Sequence, residues 1–344
     1  MKKNIFAVFL IFSACLLSAA KKKAPEWIIF PSSVYPSDVY MNGTGSGETR
    51  EIAELEAVRN LSSVFGQTVH SANTASKKME QALSDGKVAF SSDSSLQQNI
   101  TSQIEAENLI GIEIAEYFYN SPEKKWYAIA ILHKQKTAVI YENLILKNDE
   151  SLRRAVAESE KVPGTFYGYS EICFALDIAK ENDRLLKNLS VIDFDKGTEI
   201  GNQIVSLKTV EAAQKQFAEG ITIYVSLTGD VDNRIKSAFQ DIFSKYGFKT
   251  SSSRKEKYSL EGRYTSEFSK KGKVTYCIYI LTMDFADRLE EKSLFAINLK
   301  GREGGTSEND AKNRTYRVLE KKISTEFSKN FDTYMNSLSF QPED

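Results

Sequence analysis

Two β-rich segments, NLIGIEIAEYFYN at residues 108–120 and KWYAIAILHK at 125–134, flank SPEKK, a turn containing Pro122. Nothing else in the chain restricts the fold as strongly, because period-2 runs joined by a short turn form a hairpin. In the second arm Trp126, Ala128, Ala130 and Leu132 alternate with Tyr127, Ile129, Ile131 and His133. Both faces are mostly apolar, so at least one is expected beneath a helix.

A helix to cover it lies upstream. In VYMNGTGSGETREIAELEAVRNL, residues 39–61, the spacing of Ala53, Ala57 and Leu61, continued by Val64 and Phe65, makes one helical stripe suited to a sheet. Gly43, Gly45 and Gly47 precede it and read as a tight turn, with Thr49 as the hydroxyl cap. A phosphate-cradling loop is the rival reading. Such a loop needs GxxxxGK[ST] or GxGxxG, whereas GTGSGETR has neither the lysine nor the spacing. Glu48 and Glu51 suit a helix start but would repel a phosphate there. No nucleotide and no cofactor is expected. The same pattern recurs near the C-terminus, where Gly305, Ser307, Ala311, Thr315 and Leu319 match Gly47, Thr49, Ala53, Ala57 and Leu61 in offset. Duplication and convergence on a good helix start explain it equally well.

The first 20 residues are of another kind. Lys2 and Lys3 precede an apolar run from Ile5 to Leu17, and Ser18-Ala19-Ala20 offers small residues for cleavage, as in an export signal. FSAC leaves a second outcome open, lipidation of Cys15, although Phe12 stands where lipoprotein signals favour Leu. Loss of residues 1–20 removes two lysines and no acid, moving the formal charge from −1 to −3. With 45 basic residues spread among 46 acidic ones, no footprint for nucleic acid stands out.

The expected class is α+β, with two small domains, each an antiparallel sheet packed by helices, joined by a helical hairpin. The expected organisation is a signal at 1–20, an irregular lead-in at 21–38 with three prolines, a first domain at 39–146, a helical linker at 147–217, a second domain at 218–336 and a tail at 337–344. In the second domain ITIYVSLTG reads as a strand and DNRIKSAFQDIFSKYGF as a helix stopped by Gly247. KYSLEGRYTSEF, KVTYCIYILTMDF and SLFAINLKG follow as three antiparallel strands before a closing helix from about Ser307 to Phe331.

Sites of chemistry are scarce. His70 and His133 are too few and too far apart for zinc, and no GxSxG or HExxH is present, so no catalytic or metal residue is nominated. Asp230/Asp232 and Asp284/Asp287 flank apparent turns and read as turn carboxylates or caps rather than a calcium loop. Cys173 and Cys277 read as two buried small side chains or as a pair. Tyr117, Tyr119, Trp126 and Tyr127 crowd the hairpin, where cross-strand packing is the commoner use of such rings and stacking on a glycan or peptide the rarer one.

PEWI, YMNGTGSG, the small-residue helix through Ala53, Ala57 and Leu61, and LIGIEIAEYFYN…KKWYAIAILHKQKTA together resemble the bacterial lipoprotein-20 family of envelope proteins, related to the N-terminal domain of the flagellar T-ring protein. The resemblance spans residues 25–146. It implies a helix on a small antiparallel sheet, no recognised catalytic residue, and roles in outer-membrane integrity or ring assembly. Phe12 departs from the pattern that would support a lipid anchor.

The functional expectation is an exported, non-catalytic envelope protein, periplasmic or tethered to the outer membrane through Cys15, that assembles or scaffolds other components. A module for cell-wall glycan or peptide is the alternative, and an enzyme of unknown type a second. Its partners are expected to be envelope proteins, or a second copy, docking on a solvated edge strand at residues 257–268, where Lys257, Glu261, Arg263 and Glu267 surround Gly262. Intact-mass analysis of the exported protein should find a chain starting at Lys21 with no lipid; an acyl adduct on Cys15 would establish the tethered form instead.

Overall fold

The computed structural model describes residues 23–83 and 109–338, with side chains from 69 to 83 left aside. The expected signal, Cys15 and most of the polar stretch between the first long helix and the hairpin lie outside the described residues. Contacts divide the chain in two: of the described residues, 23–70 and 109–134 form the first unit, and 71–83 and 135–338 the second.

The first unit is a three-stranded antiparallel sheet in the order β1 (Tyr40–Gly47), β3 (Lys125–His133), β2 (Ile112–Asn120). The hairpin is as expected, closed by Asn120 opposite Lys125 and interrupted by a bulge between Ile114 and Glu116. β3 is central, which explains why both of its faces are apolar.

Gly43, Gly45 and Gly47 are not a turn. They lie inside β1, opposite Ala130, Ala128 and Trp126, and none has a positive φ. Their role is proximity. Helix α2 (Arg50–Leu83, after the one-turn α1 at Pro31–Val34) crosses this face so closely that a Cβ on Gly45 would stand 2.2 Å from the Ala57 nitrogen and 2.4 Å from the Ala53 oxygen. A Cβ on Gly43 would stand 2.3 Å from the Leu61 nitrogen. Ala53, Ala57, Leu61 and Phe65 are accordingly buried.

The lead-in is structured as well. A 3-10 turn at Glu26–Ile28 and α1 place Trp27 on the opposite face of the sheet, against Ile129 and Ile131. The sheet is thereby covered on both sides.

The second unit opens with α3 (Lys134–Lys161), α4 (Phe166–Ile192), α5 (Phe194–Gln203) and α6 (Leu207–Glu219). These include the expected linker, but they are no spacer: Leu152, Phe166, Ile172 and Val210 belong to one core with Val225, Leu260, Phe285 and Phe327. Phe166 packs at 4.2 Å from Tyr258 and 5.5 Å from Phe248, Phe285 and Phe331, and its amide donates to the Tyr258 hydroxyl at 3.0 Å. Burial raises the Tyr258 phenol to about 12.

The second sheet is mixed rather than antiparallel. Its order is β5 (Lys249–Ser251), β4 (Thr222–Thr228), β6 (Tyr258–Lys271), β7 (Val274–Asp287), β8 (Lys292–Gly305), with β4 parallel to both β5 and β6. Helix α7 (Arg234–Lys245) crosses over between β4 and β5, the connection a parallel pair requires, and Gly247 at φ +85° ends it. Strand pattern alone does not reveal direction. Helix α8 (Glu308–Leu338) folds back along β8 and runs beyond the expected Phe331.

Gly45→Ala should cost about 2–3 kcal/mol, because the neighbours that must yield are backbone atoms of α2. A fall in the urea midpoint at unchanged slope checks it; an unaffected midpoint would mean that helix and strand are free to separate.

Candidate functional site

The residues nominated from sequence do not converge. Thr49 Oγ1 accepts from the Ile52 amide at 3.3 Å, and Ser307 Oγ from the Asp310 amide at 3.1 Å, both at helix starts. Gly305 ends β8 instead of forming a turn, and a Cβ there would stand 2.3 Å from the Ala311 nitrogen. Thr49 and Ser307 thus act as helix caps, and Gly305 gives the last helix room to close on β8.

The acidic pairs are engaged locally. Asp287 accepts from the Leu289 and Glu290 amides and pairs with Lys257, and Asp284 accepts from Ser293. Asp230 accepts from the Lys236 amide, within the first turn of α7. Lys312, 2.6 Å from Asp232, holds that carboxyl below its ordinary range. Among the described residues no cluster of three or more His, Cys, Asp or Glu could hold a metal.

A cleft of about 440 Å³ lies between α4 and the end of α8, lined by Tyr169, Cys173, Phe174, Tyr246, Phe331 and Met335 among others. Gln214 donates to the Tyr169 hydroxyl at 2.8 Å, and burial pushes both that phenol and the Cys173 thiol upward. At neutral pH the thiol is therefore protonated, and the ionisable residues that remain at the cleft include Asp177 and Asp332. Cys173 and Cys277 are both free.

The hairpin rings form a surface patch. Tyr117 and Tyr119 are 49% and 43% exposed, Trp126 lies 6.1 and 5.2 Å from them, and the Arg50 guanidinium sits 3.6 Å over Tyr117. One face of Tyr117 is thus already covered.

An open edge also occurs part-way along β6, an interior strand. Residues 258–263 pair with β4 on one side and β7 on the other, so the first half of the expected edge is interior. Ser259 is buried there. Beyond Arg263, β6 pairs with β7 alone among the described residues. The direction of its free groups follows from two contacts. Thr228 Oγ1 donates to the Gly262 carbonyl at 3.3 Å, and the Tyr264 carbonyl lies against Gly229, so even-numbered residues turn their backbone groups away from β7. Continued outward, that alternation leaves the groups of Ser266, Phe268 and Lys270 at the open edge.

Beside this edge the outer sheet face carries exposed Val274, Ile278 and Ile280, while Thr275, Cys277, Tyr279 and Leu281 point into the core. Arg302 stands 4.7 Å over Tyr276 on the outer face. β7 lies inside the sheet, yet one of its two apolar faces is solvent-exposed, which the sequence reading missed. The alternation in VTYCIYIL was the available signal.

Neither a protein-family model nor a curated protein matches the sequence. Solved structures similar to it include the secreted protein HP1454 from Helicobacter pylori, 11% identical over 82% of this chain and 96% of that one, with a TM-score of 0.39. A minor lipoprotein from Acinetobacter baumannii is 15% identical over 34% of this chain and 94% of that one, with a TM-score of 0.26. At these TM-scores neither likeness bears on what the chain does. No described helix is long and apolar enough to cross a membrane.

Maleimide labelling of the native protein should be slow at Cys173 at neutral pH and accelerate with pH beyond the range of free cysteine, about 8.5, because the folded thiol titrates higher. Cys277, fully buried, should label only on unfolding. Fast labelling of Cys173 at neutral pH would show an activated thiol.

Proposed function

We propose that the protein is exported and serves the cell envelope as a non-catalytic assembly or scaffolding component, holding an extended segment of another chain against the outer half of β6. The observation that carries this is the open edge at Ser266, Phe268 and Lys270 next to the exposed Ile278 and Ile280. Unpaired N–H and C=O groups supply affinity for any extended chain, and neighbouring side chains supply selection. Glu267, Lys270 and Lys271 discourage an indiscriminate partner and favour one with an acid opposite the lysines. The export-signal pattern supports the location. The resemblance of residues 25–146 to the lipoprotein-20 family supports an envelope role for the first unit, and a flagellar association is the finer form of the same reading.

A second reading, a module for cell-wall glycan or peptide, draws on one observation: Tyr117 and Tyr119 remain half exposed beside Trp126. Arg50 over Tyr117 weakens it, since one stacking face is taken.

The edge is tested by proline. Ser266→Pro deletes an outward N–H and should leave the circular dichroism and melting of the protein nearly unchanged while abolishing in-cell crosslinks from a photoreactive residue at position 268. Glu267→Pro deletes an N–H directed at β7 and should destabilise the sheet. A folded Ser266→Pro protein that keeps its crosslinks would place the interface elsewhere.

A further inference from the structure

The open stretch of β6 has fixed ends. The Tyr264 carbonyl lies against Gly229, which closes the edge on the β4 side, and a turn at Gly272, with φ +62°, closes it at the other. Between them Glu267, Phe268, Ser269, Lys270 and Lys271 are all exposed, so among the described residues nothing lies over this part of the strand. A strand added here must be short, or turn away where β4 begins.

The side chains along the stretch alternate between two faces. Phe268 and Lys270 share the face of buried Tyr264, whereas Glu267, Ser269 and Lys271 share the outer face, where they stand beside Ile278, Tyr276 and Val274 of β7. Glu267 and Lys271 are opposite in sign, and neither has an ion-pair partner among the described residues. An antiparallel neighbour with the same spacing would satisfy both charges at once. A second copy of this chain carries that spacing in the reverse direction.

Backbone direction narrows the register. The outward groups belong to even-numbered residues, so an even residue must face an even one across the new pairing. That condition allows two-fold axes at Glu267, Phe268, Ser269 or Lys270. An axis at Glu267 sets two acids against each other, one at Lys270 sets two lysines together, and one at Phe268 puts Glu267 opposite a serine. Only the axis at Ser269 puts Glu267 opposite Lys271, and symmetry repeats the pair.

We propose that two copies of the chain pair antiparallel through the outer halves of β6 about a two-fold axis at Ser269. Phe268 and Lys270 then exchange backbone hydrogen bonds with the partner's Lys270 and the partner's Phe268, and Ser266 meets the partner's Gly272. On the outer face one row runs from Ile278 through Glu267 to the partner's Lys271 and the partner's Val274, so apolar side chains flank each ion pair. Phe268, 40% exposed in the single chain, is covered by the partner's Lys270. This pairing rests on the assembly role proposed for the β6 edge, with a second copy as the occupant.

Purified exported protein is followed by sedimentation equilibrium from about 1 µM to about 1 mM, the range in which a small interface associates. The wild type should dimerise reversibly, and more weakly as salt rises. Glu267→Lys and Lys271→Glu should each weaken the dimer about tenfold, because each turns two attractive pairs into repulsive ones. Combining the two substitutions should recover wild-type affinity to within about threefold. Circular dichroism should be unchanged throughout, since both side chains are exposed. A wild type that stays monomeric over this range, single variants that dimerise as well as wild type, or a double variant that does not recover would each overturn the pairing. Crosslinks from position 268 to other proteins, made by a chain that stays monomeric, would overturn the second copy as occupant and leave the edge as an assembly site. A dimer that survives Ser266→Pro would overturn both.

Discussion

The backbone of α2 rests on the backbone of β1, and the architecture of the first unit follows from that contact. Helix and sheet usually meet through side chains, which hold their backbones well apart. Here Gly43 and Gly45 present no side chain, and Ala53 and Ala57 present only methyl groups, so the elements close until the next atom would collide. The resulting interface is short in reach and unforgiving in register. A one-residue slip of β1 would turn Asn42, Thr44 and Ser46 toward the helix and leave no room for it. With that face occupied, the other is left for Trp27, and Glu116 fixes the covering segment in place.

A related contact recurs at the end of the chain. β8 ends in Gly305, Ser307 caps α8, and the helix turns back so that Ala311, Thr315 and Leu319 are all fully buried. Each of the two junctions joins a strand to a helix lying over the sheet, with the hydroxyl cap taking an otherwise orphaned amide of the first turn. Shared geometry is what either common descent or convergence would leave behind. The second unit differs in having a large aromatic core, in which Phe166, Phe285, Phe327 and Phe331 bring helices from both ends of the unit onto one sheet.

That core also shapes the surface. β6, β7 and β8 are each 14 residues long, whereas β4 has seven, so the longer strands outrun β4 and leave the outer half of β6 paired with β7 alone among the described residues. Helix packing protects one face of the extension and leaves the other, with Ile278 and Ile280, to solvent. An open edge and an apolar face in one place are the two features on which the proposed assembly role rests.

Much of this was legible in the residues. The hairpin at 108–134, the helix through Ala53, Ala57 and Leu61, the hydroxyls of Thr49 and Ser307, and Gly247 as a helix stop all rest on local period or capping chemistry, which act within a few residues of chain. Strand direction, the joining of α3–α6 to the second core, and the strand setting of Gly43, Gly45 and Gly47 rest on contacts between distant segments. Local pattern reports that a glycine is tolerated but not what approaches it: at Gly45 the approaching atoms belong to Ala53 and Ala57, and at Gly262 to Thr282 and Met283. The same holds for β6, whose charges marked a solvated edge although β4 covers its first half. The sequence by itself determined which segments are strands and helices and where the helices begin, because those choices depend on neighbours in the chain. Only the tertiary structure decided which strand groups stay unpaired and which apolar residues, Ile29 and Phe30 among them, face outward, because burial is settled by the surface left over once the larger contacts have formed.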